Sequence, residues 1–219
     1  MSYLPPGFAA DEVRPTLALA SNNRGKLTEF HSLLGDRVTI ASLSDLGLES
    51  PLETGATFED NAALKARFVF EQTGLVTLGD DSGLEVVALG GLPGVHSARY
   101  AGDRHNDRDN RGLLLGNLAD VPDGSRTARF VAVLALIDAS GTLTLSRGTC
   151  DGAIARSERG INGFGYDSIF EFADGRTMAE LDASDKNLVS HRGQALRKAR
   201  PRLLRALGLD DSEVRAPAT

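Results

Sequence analysis

Two neighbouring carboxylates, Asp80 and Asp81, follow the apolar run Leu75–Leu78 and precede Ser82 and Gly83. Successive side chains of a strand point to opposite faces, so one carboxylate can bind a cation while the other orients water or supports the shell. An acidic turn is the plain alternative, since Asp and Gly are common turn formers. Position favours chemistry, because acids at the end of a buried strand line the crevice where open α/β sheets bind ligands. A second candidate is the turn Ser21-Asn22-Asn23-Arg24-Gly25-Lys26, which joins an apolar strand to a helix. Backbone N–H groups at a helix N-terminus face an anion, and Lys26 adds a point charge. It is not a P-loop: that motif needs Gly where Ala20 stands and Ser or Thr where Leu27 stands. Otherwise it is a polar turn with a surface lysine.

Glu53 lies in a loop and Lys65 on a helix, and each alone reads as a solvated charge. Glu59 and Asp60 sit in the first turn of that helix, where acids suit the dipole. Phe164-Gly165-Tyr166-Asp167 lies among glycines that let backbone approach a flat ligand, and an aromatic there can stack on a purine. The alternative is a tight turn with both aromatics in the core. Lys186 precedes Ser190-His191-Arg192-Gly193-Gln194, where His191 and Arg192 could donate to a 6-oxo purine or contact phosphate, or stand exposed in a first helical turn. His31, His96 and His105 lack metal spacing and carry no catalytic assignment.

The elements that must position these groups are legible from pattern. Thr16–Ala20 reads as a buried strand, followed by a helix with Leu27, Phe30, Leu33 and Leu34 on one face, ended by Gly35. Val38–Ala41 reads as a strand, and Thr57 caps a helix running to about Thr73, closed by Gly74. Leu75–Leu78 and Leu84–Leu89 read as strands, with turn residues Gly90–Gly94 after them. Asp107–Leu118 reads as a helix, Ala128–Ile137 as a buried strand, and Gly141 as the hairpin into Thr142–Cys150. Ser190 caps the last helix, which Pro201 should kink or interrupt before Gly208. Interleaved elements followed by hairpins indicate an α/β protein with a mixed sheet.

Bulk properties bound the function. The 219 residues are 41% hydrophobic and 25% charged, enough for one large domain or two lobes sharing a cleft. Net charge is −6, and 5% aromatics with no Trp disfavour a nucleic-acid-coating surface. No apolar run reaches the roughly 18–20 residues of a membrane span. Cys150 is the only cysteine, which rules out an internal disulfide and makes a reducing cytoplasm the expected setting. Residues 1–15 read as a flexible extension rather than a signal peptide, 16–208 as one domain of two lobes, and 209–219 as a flexible tail.

In order and wording, six segments resemble the inosine triphosphate pyrophosphatase family. They are Ala20–Lys26 with Glu29, Glu53-Thr54-Gly55, Thr57–Ala66, Asp80–Ala101, Gly163–Phe170 and Ala179–Leu196. The similarity runs from about Leu17 to Leu207. It implies two α/β lobes around a central cleft on a long mixed sheet, usually a homodimer, with Mg²⁺ as cofactor. It also implies hydrolysis of dITP, ITP and XTP to the monophosphate and pyrophosphate. Carried over residue by residue, Ser21, Asn22, Asn23, Arg24, Gly25 and Lys26 resemble the triphosphate-binding turn. Glu53 and Asp81 resemble the metal site, with Asp81 the proton acceptor and Asp80 its neighbour, and Lys65 matches a lysine that reaches the phosphates. Ser82, Phe164, Gly165, Tyr166, Asp167, Lys186, His191 and Arg192 match the nucleotide-binding set, the last two at the base. The turn reads SNNRGK where TGNxGK or SxNxGK is commoner, and Asp60 stands where Glu is frequent. The competing readings are a pyrimidine-nucleotide pyrophosphatase, a nucleotide-binding module without turnover, and a P-loop kinase or GTPase.

Overall fold

The computed structural model describes residues 14–104 and 106–209. The expected N-terminal extension (except Arg14 and Pro15), most of the tail and His105 lie outside the described residues. The first strand, β1 (Thr16–Leu19), runs parallel to β2 (Thr39–Ala41) and to β3 (Thr77–Val86). From there β3, β4 (Thr127–Ile137), β5 (Leu143–Ile154) and the short β6 (Phe170–Glu171) pair antiparallel. The result is a mixed six-stranded sheet ordered β2-β1-β3-β4-β5-β6.

β4 is buried along nearly its whole length because both its faces are covered, which is why it reads as a continuous apolar run. Its Val131, Val133, Ala135 and Ile137 meet Phe58, Ala62 and Ala66 of helix α2 (Phe58–Thr73). Ala132, Leu134 and Leu136 face the other way. They pack with Phe30 and Leu34 of α1 (Arg24–Leu34) and with Ala195, Leu196, Ala199 and Leu203 of the last helix, α5 (His191–Ala206). A separate core at the far end of the strands joins Leu84, Phe130, Ile154, Tyr166 and Phe170 to Leu114 of α3 (Asp107–Asn117) and to Leu118, which follows it. A further short helix, α4 (Ala183–Val189), precedes α5. The long strands thus carry apolar clusters on both faces and at their far end, with Asp80 opposite Leu134 and Asp81 opposite Val133 on β4.

Several sequence expectations are corrected. Asp80 and Asp81 do not end a strand; β3 continues through them to Val86, while Val87–Leu89 form a 3₁₀ turn. Gly79 suggests a break in the sequence, but a Cβ there would lie 2.3 Å from the Ala62 carbonyl oxygen, so the glycine lets α2 press onto the strand. β5 likewise passes Cys150 to reach Ile154. A Cβ on its Gly148 would lie 2.1 Å from the His191 carbonyl oxygen, which sets how closely α5 can approach. Pro201 does not interrupt α5, whose apolar face holds the helix against the sheet on both sides of it. Helix α4 and strand β6 have no counterpart in the sequence reading, being too short to show a period.

Candidate active site

Consecutive positions on β3 send Asp80 and Asp81 to opposite faces of the sheet, and each meets a lysine from a different helix. On the α2 side, Lys65 Nζ lies 2.6 Å from Asp81 Oδ1 and 2.7 Å from Glu53 Oε1. One helical turn earlier, Asn61 serves both partners. Its amide nitrogen lies 3.4 Å from Asp81 Oδ2, and its oxygen accepts the Gly55 N–H at 2.8 Å, tying down the loop that carries Glu53. Arg99 reaches the other Glu53 oxygen at 3.3 Å.

On the opposite face, Asp80 is fully buried. Lys26 Nζ lies 2.5 Å from its Oδ1, Arg192 Nε 2.6 Å from its Oδ2, and the Ser82 hydroxyl donates to Oδ1 at 2.9 Å. Arg192 also donates to Ser82 Oγ at 2.9 Å and pairs with Glu29. Glu29 passes the chain of charges to Lys186 at 2.6 Å, and Lys186 to Asp167 at 2.7 Å. Lys26 and Glu29 are three residues apart on α1, as Asn61 and Lys65 are four apart on α2, so each pair shares a helical face.

Burial opposes ionisation of Asp80, yet Arg192 and Lys26 outweigh it and hold the carboxyl far below the usual range. Burial likewise opposes charge on Glu29, but Arg192 and Lys186 keep its pKa down at about 2. Asp81 behaves differently: burial raises its pKa more than Lys65 and Lys26 lower it, leaving a more basic carboxylate. Burial works against the Lys65 charge, and Asp81 with Glu53 reverses the sign, raising its pKa. Lys26 has its pKa lowered by burial, against the pull of Asp80, and the cations Lys65 and Arg192 lower it further.

The turn before α1 uses its side chains to shape itself. Ser21 Oγ accepts the Asn23 N–H at 3.1 Å, and Asn23 caps α1 by accepting the Lys26 N–H at 3.1 Å. Asn22 Oδ1 accepts from the Ser44 N–H and hydroxyl, tying it to the loop after β2. Arg24 is exposed. The first turn of α1 holds no acid, leaving its N-terminus free of a competing carboxylate. Gly25 lies under the Phe164 ring, where a Cβ would come within 2.4 Å of the ring carbon Cδ1.

The two aromatics of the Phe164–Asp167 segment part company. Tyr166 joins the core at the far end of the strands and donates its hydroxyl to the Ser97 carbonyl at 2.8 Å. Phe164 faces the charges, with Lys186 Nζ 5.1 Å and the Arg192 guanidinium 5.8 Å from its ring centre. Asp167 Oδ2 accepts the Phe164 N–H at 2.9 Å. His191 and Arg192 are buried rather than exposed in the first turn of α5, and Ser190 caps that helix through the Gly193 N–H. His191 stacks on Phe130 with ring centres 4.7 Å apart. Burial, aided by Arg192, depresses its pKa to about 3, so the imidazole is neutral, and its buried Nδ1 has no hydrogen-bond partner among the described residues.

Asp60 is a capping residue: its N–H donates to Thr57 Oγ1 and its carboxylate accepts the Thr57 hydroxyl. Sequence reasoning left Asn61 and Arg99 out of the site and gave Glu29 no role. The one-turn spacings to Lys26 and Lys65 could have found Glu29 and Asn61. Arg99 comes from the 3₁₀ turn Gly94–Arg99 and offers no such signal. Among the described residues no three His, Cys, Asp or Glu side chains converge as a metal cage.

Residues 17–202 match the profile of the Ham1 family. The dITP/XTP pyrophosphatase of Mycobacterium tuberculosis strain H37Rv is 50% identical over 193 residues, covering 85% of this chain and 94% of that protein. Its namesake from Haemophilus influenzae is 44% identical over 188 residues, covering 84% and 96%. The solved structure of a HAM1 protein from Coxiella burnetii superposes with a TM-score of 0.78 at 42% identity, covering 87% of this chain and 99% of that one. The Staphylococcus aureus Ham1 protein gives 0.76 at 37% identity, covering 86% and 97%.

Proposed function

The chain belongs to the Ham1 family, and from that premise we propose that it hydrolyses the non-standard purine nucleoside triphosphates dITP, ITP and XTP to the monophosphate and pyrophosphate. One observation carries the reading: adjacent acids on β3 are held by lysines from the N-terminal helix and from α2, beside an acid-free helix N-terminus. Phosphate transfer to water needs such a convergence of acids, which handle a cation and water, with cations that take up charge on the phosphates.

The donor set fits Mg²⁺. Glu53 and Asp81 share one ammonium, so their oxygens converge on a single small cation, and two carboxylates suit a metal that completes its shell with substrate oxygens and water. The site's own charges also balance: Lys26, Lys65, Arg99, Lys186 and Arg192 are matched by Glu29, Glu53, Asp80, Asp81 and Asp167. A triphosphate brings several negative charges, which this neutral cluster does not offset by itself. Glu53 and Asp81 would hold Mg²⁺, whose contribution is to neutralise charge on the phosphate oxygens and the leaving pyrophosphate.

The chain's own residues would do the rest. The N-terminus of α1, with Ser21–Gly25, would receive the phosphates. Lys26 and Lys65 would swing from their carboxylate partners to phosphate oxygens, freeing Asp81 to orient water and accept its proton. The raised pKa of Asp81 suits that role. Asp80, whose oxygens are already taken, would anchor Arg192 and hold Lys26 in reserve until the phosphates arrive. Phe164 would stack on the base, with Ser82, Lys186 and Asp167 holding its surroundings and Tyr166 rooting the loop in the core. Neutral His191 and permanently charged Arg192 would read the 6-oxo edge, which adenine lacks; a site built to hydrogen-bond one group can reject analogues lacking it by about 10⁴-fold. A homodimer in the cytoplasm completes the reading, consistent with the buried free thiol of Cys150.

The test is to incubate the protein and its Asp81→Asn variant with Mg²⁺ and ITP, XTP, dITP, ATP, GTP or dUTP, measuring pyrophosphate and orthophosphate separately. Pyrophosphate from the first three, lost by at least about 100-fold in the folded variant, is expected. Orthophosphate release, a preference for dUTP, or wild-type turnover by the variant would overturn the assignment.

A further inference from the structure

Helix α3, which supplies none of the cleft's charged groups, reaches the Phe164 loop through a single residue, Gly165. Asp107, its first residue, accepts the Gly165 N–H on Oδ2 at 2.8 Å. Arg111, one turn on, donates from Nη1 to the Gly165 carbonyl at 2.8 Å, and its other terminal nitrogen lies 3.0 Å from Glu158. Both polar groups of one residue are therefore gripped by opposite charges at i and i+4 of a helix face.

Gly165 occupies a strategic place. It takes a left-handed φ of 59° between Tyr166, rooted in the core, and Phe164, whose ring lies over Gly25, Lys186 and Arg192. On its N-terminal side the loop is fixed at Asn162, which donates its N–H to the Ala179 carbonyl at 3.0 Å and its side-chain amide to the Leu181 carbonyl at 2.9 Å, beyond the exposed Ile161. Asp167 ties the backbone of Phe164 itself, and the hold on Gly165 fixes the flexible residue that follows it.

The geometry points to Asp107 and Arg111 as positioning residues that set Phe164 at the correct height for the base, so that substrate affinity depends on a helix outside the cleft. This rests on the proposed activity, in which Phe164 meets the base. Charge-assisted hydrogen bonds add about tenfold when fully expressed. The clamp should thus appear in KM, because it orients the base rather than the reacting phosphate.

The experiment measures kcat and KM for ITP in wild type, Arg111→Leu, Asp107→Ala and Asp107→Asn, together with inhibition by inorganic tripolyphosphate, which has no base. The first two variants should raise KM about tenfold, with kcat within about twofold and tripolyphosphate inhibition unchanged. Asp107→Asn, which keeps an accepting oxygen, should recover most of the affinity. An unchanged KM in both Arg111→Leu and Asp107→Ala overturns the inference. So does an equal loss of kcat and tripolyphosphate binding, since that marks general loosening. Failure of the wild type to turn over ITP defeats the proposed function instead, before the variants are compared.

Discussion

Replacing Asp80 by Asn removes one charge from the most enclosed carboxylate of the cleft. Lys26 and Arg192 approach its two oxygens at 2.5 and 2.6 Å, and its side chain has no solvent exposure. The variant keeps an amide of similar size, so packing is preserved while two buried cations lose a shared counter-charge. Breaking a buried ion pair from one side costs about 3–5 kcal/mol, a large share of the roughly 5–15 kcal/mol that stabilises a domain. At about 2–4 °C per kcal/mol for a chain of this length, the melting temperature should fall by roughly 6–20 °C. Urea denaturation at pH 7 and calorimetry would measure both quantities. The pH dependence supplies a second check. The folded-state pKa of Asp80 is depressed, so its contribution is full above the unfolded value near 4 and declines steadily as pH falls below it toward the folded value. The gap between wild type and variant should therefore narrow below about pH 4. A variant within about 1 kcal/mol of wild type at pH 7 would refute the view that this carboxylate holds the two cations in place.

His191 has a folded-state pKa depressed to about 3, so its contribution is full above about pH 6.5 and declines as pH falls toward 3. Between pH 6.5 and 5 the wild type should lose roughly 2 kcal/mol that His191→Gln does not lose. Parallel stability curves would contradict the burial of a neutral imidazole. Gly148→Ala should cost about 1–3 kcal/mol by forcing α5 away from β5, since the new carbon would lie 2.1 Å from the His191 carbonyl oxygen. Calorimetry that finds the variant unchanged would disprove the close contact. Chelation with EDTA should abolish pyrophosphate release while the melting temperature stays within about 2 °C, because Lys65 already bridges Glu53 and Asp81. Full activity in EDTA would end the case for Mg²⁺.

Much of the molecule is legible in its sequence for a local reason. The caps Thr57 and Ser190, the apolar period of α1 and the unbroken hydrophobic run of β4 act within a few residues of themselves, so pattern reveals them. The resemblance also singled out Lys26, Glu53, Lys65, Asp80, Asp81 and Arg192, each of which enters the charged cluster. Glycine was ambiguous: a sequence cannot show which helix will press against Gly79 or Gly148. Partner choice was equally hidden. That Asp80 meets Arg192 across 112 positions, or that α3 reaches Gly165, depends on sheet order and on helices packed against opposite faces. The sequence by itself determined which residue types can carry charge and where the longer helices begin. Only the tertiary structure decided which charges are buried together, because burial strengthens a pair and penalises an unpaired group through distances the chain sets only when folded.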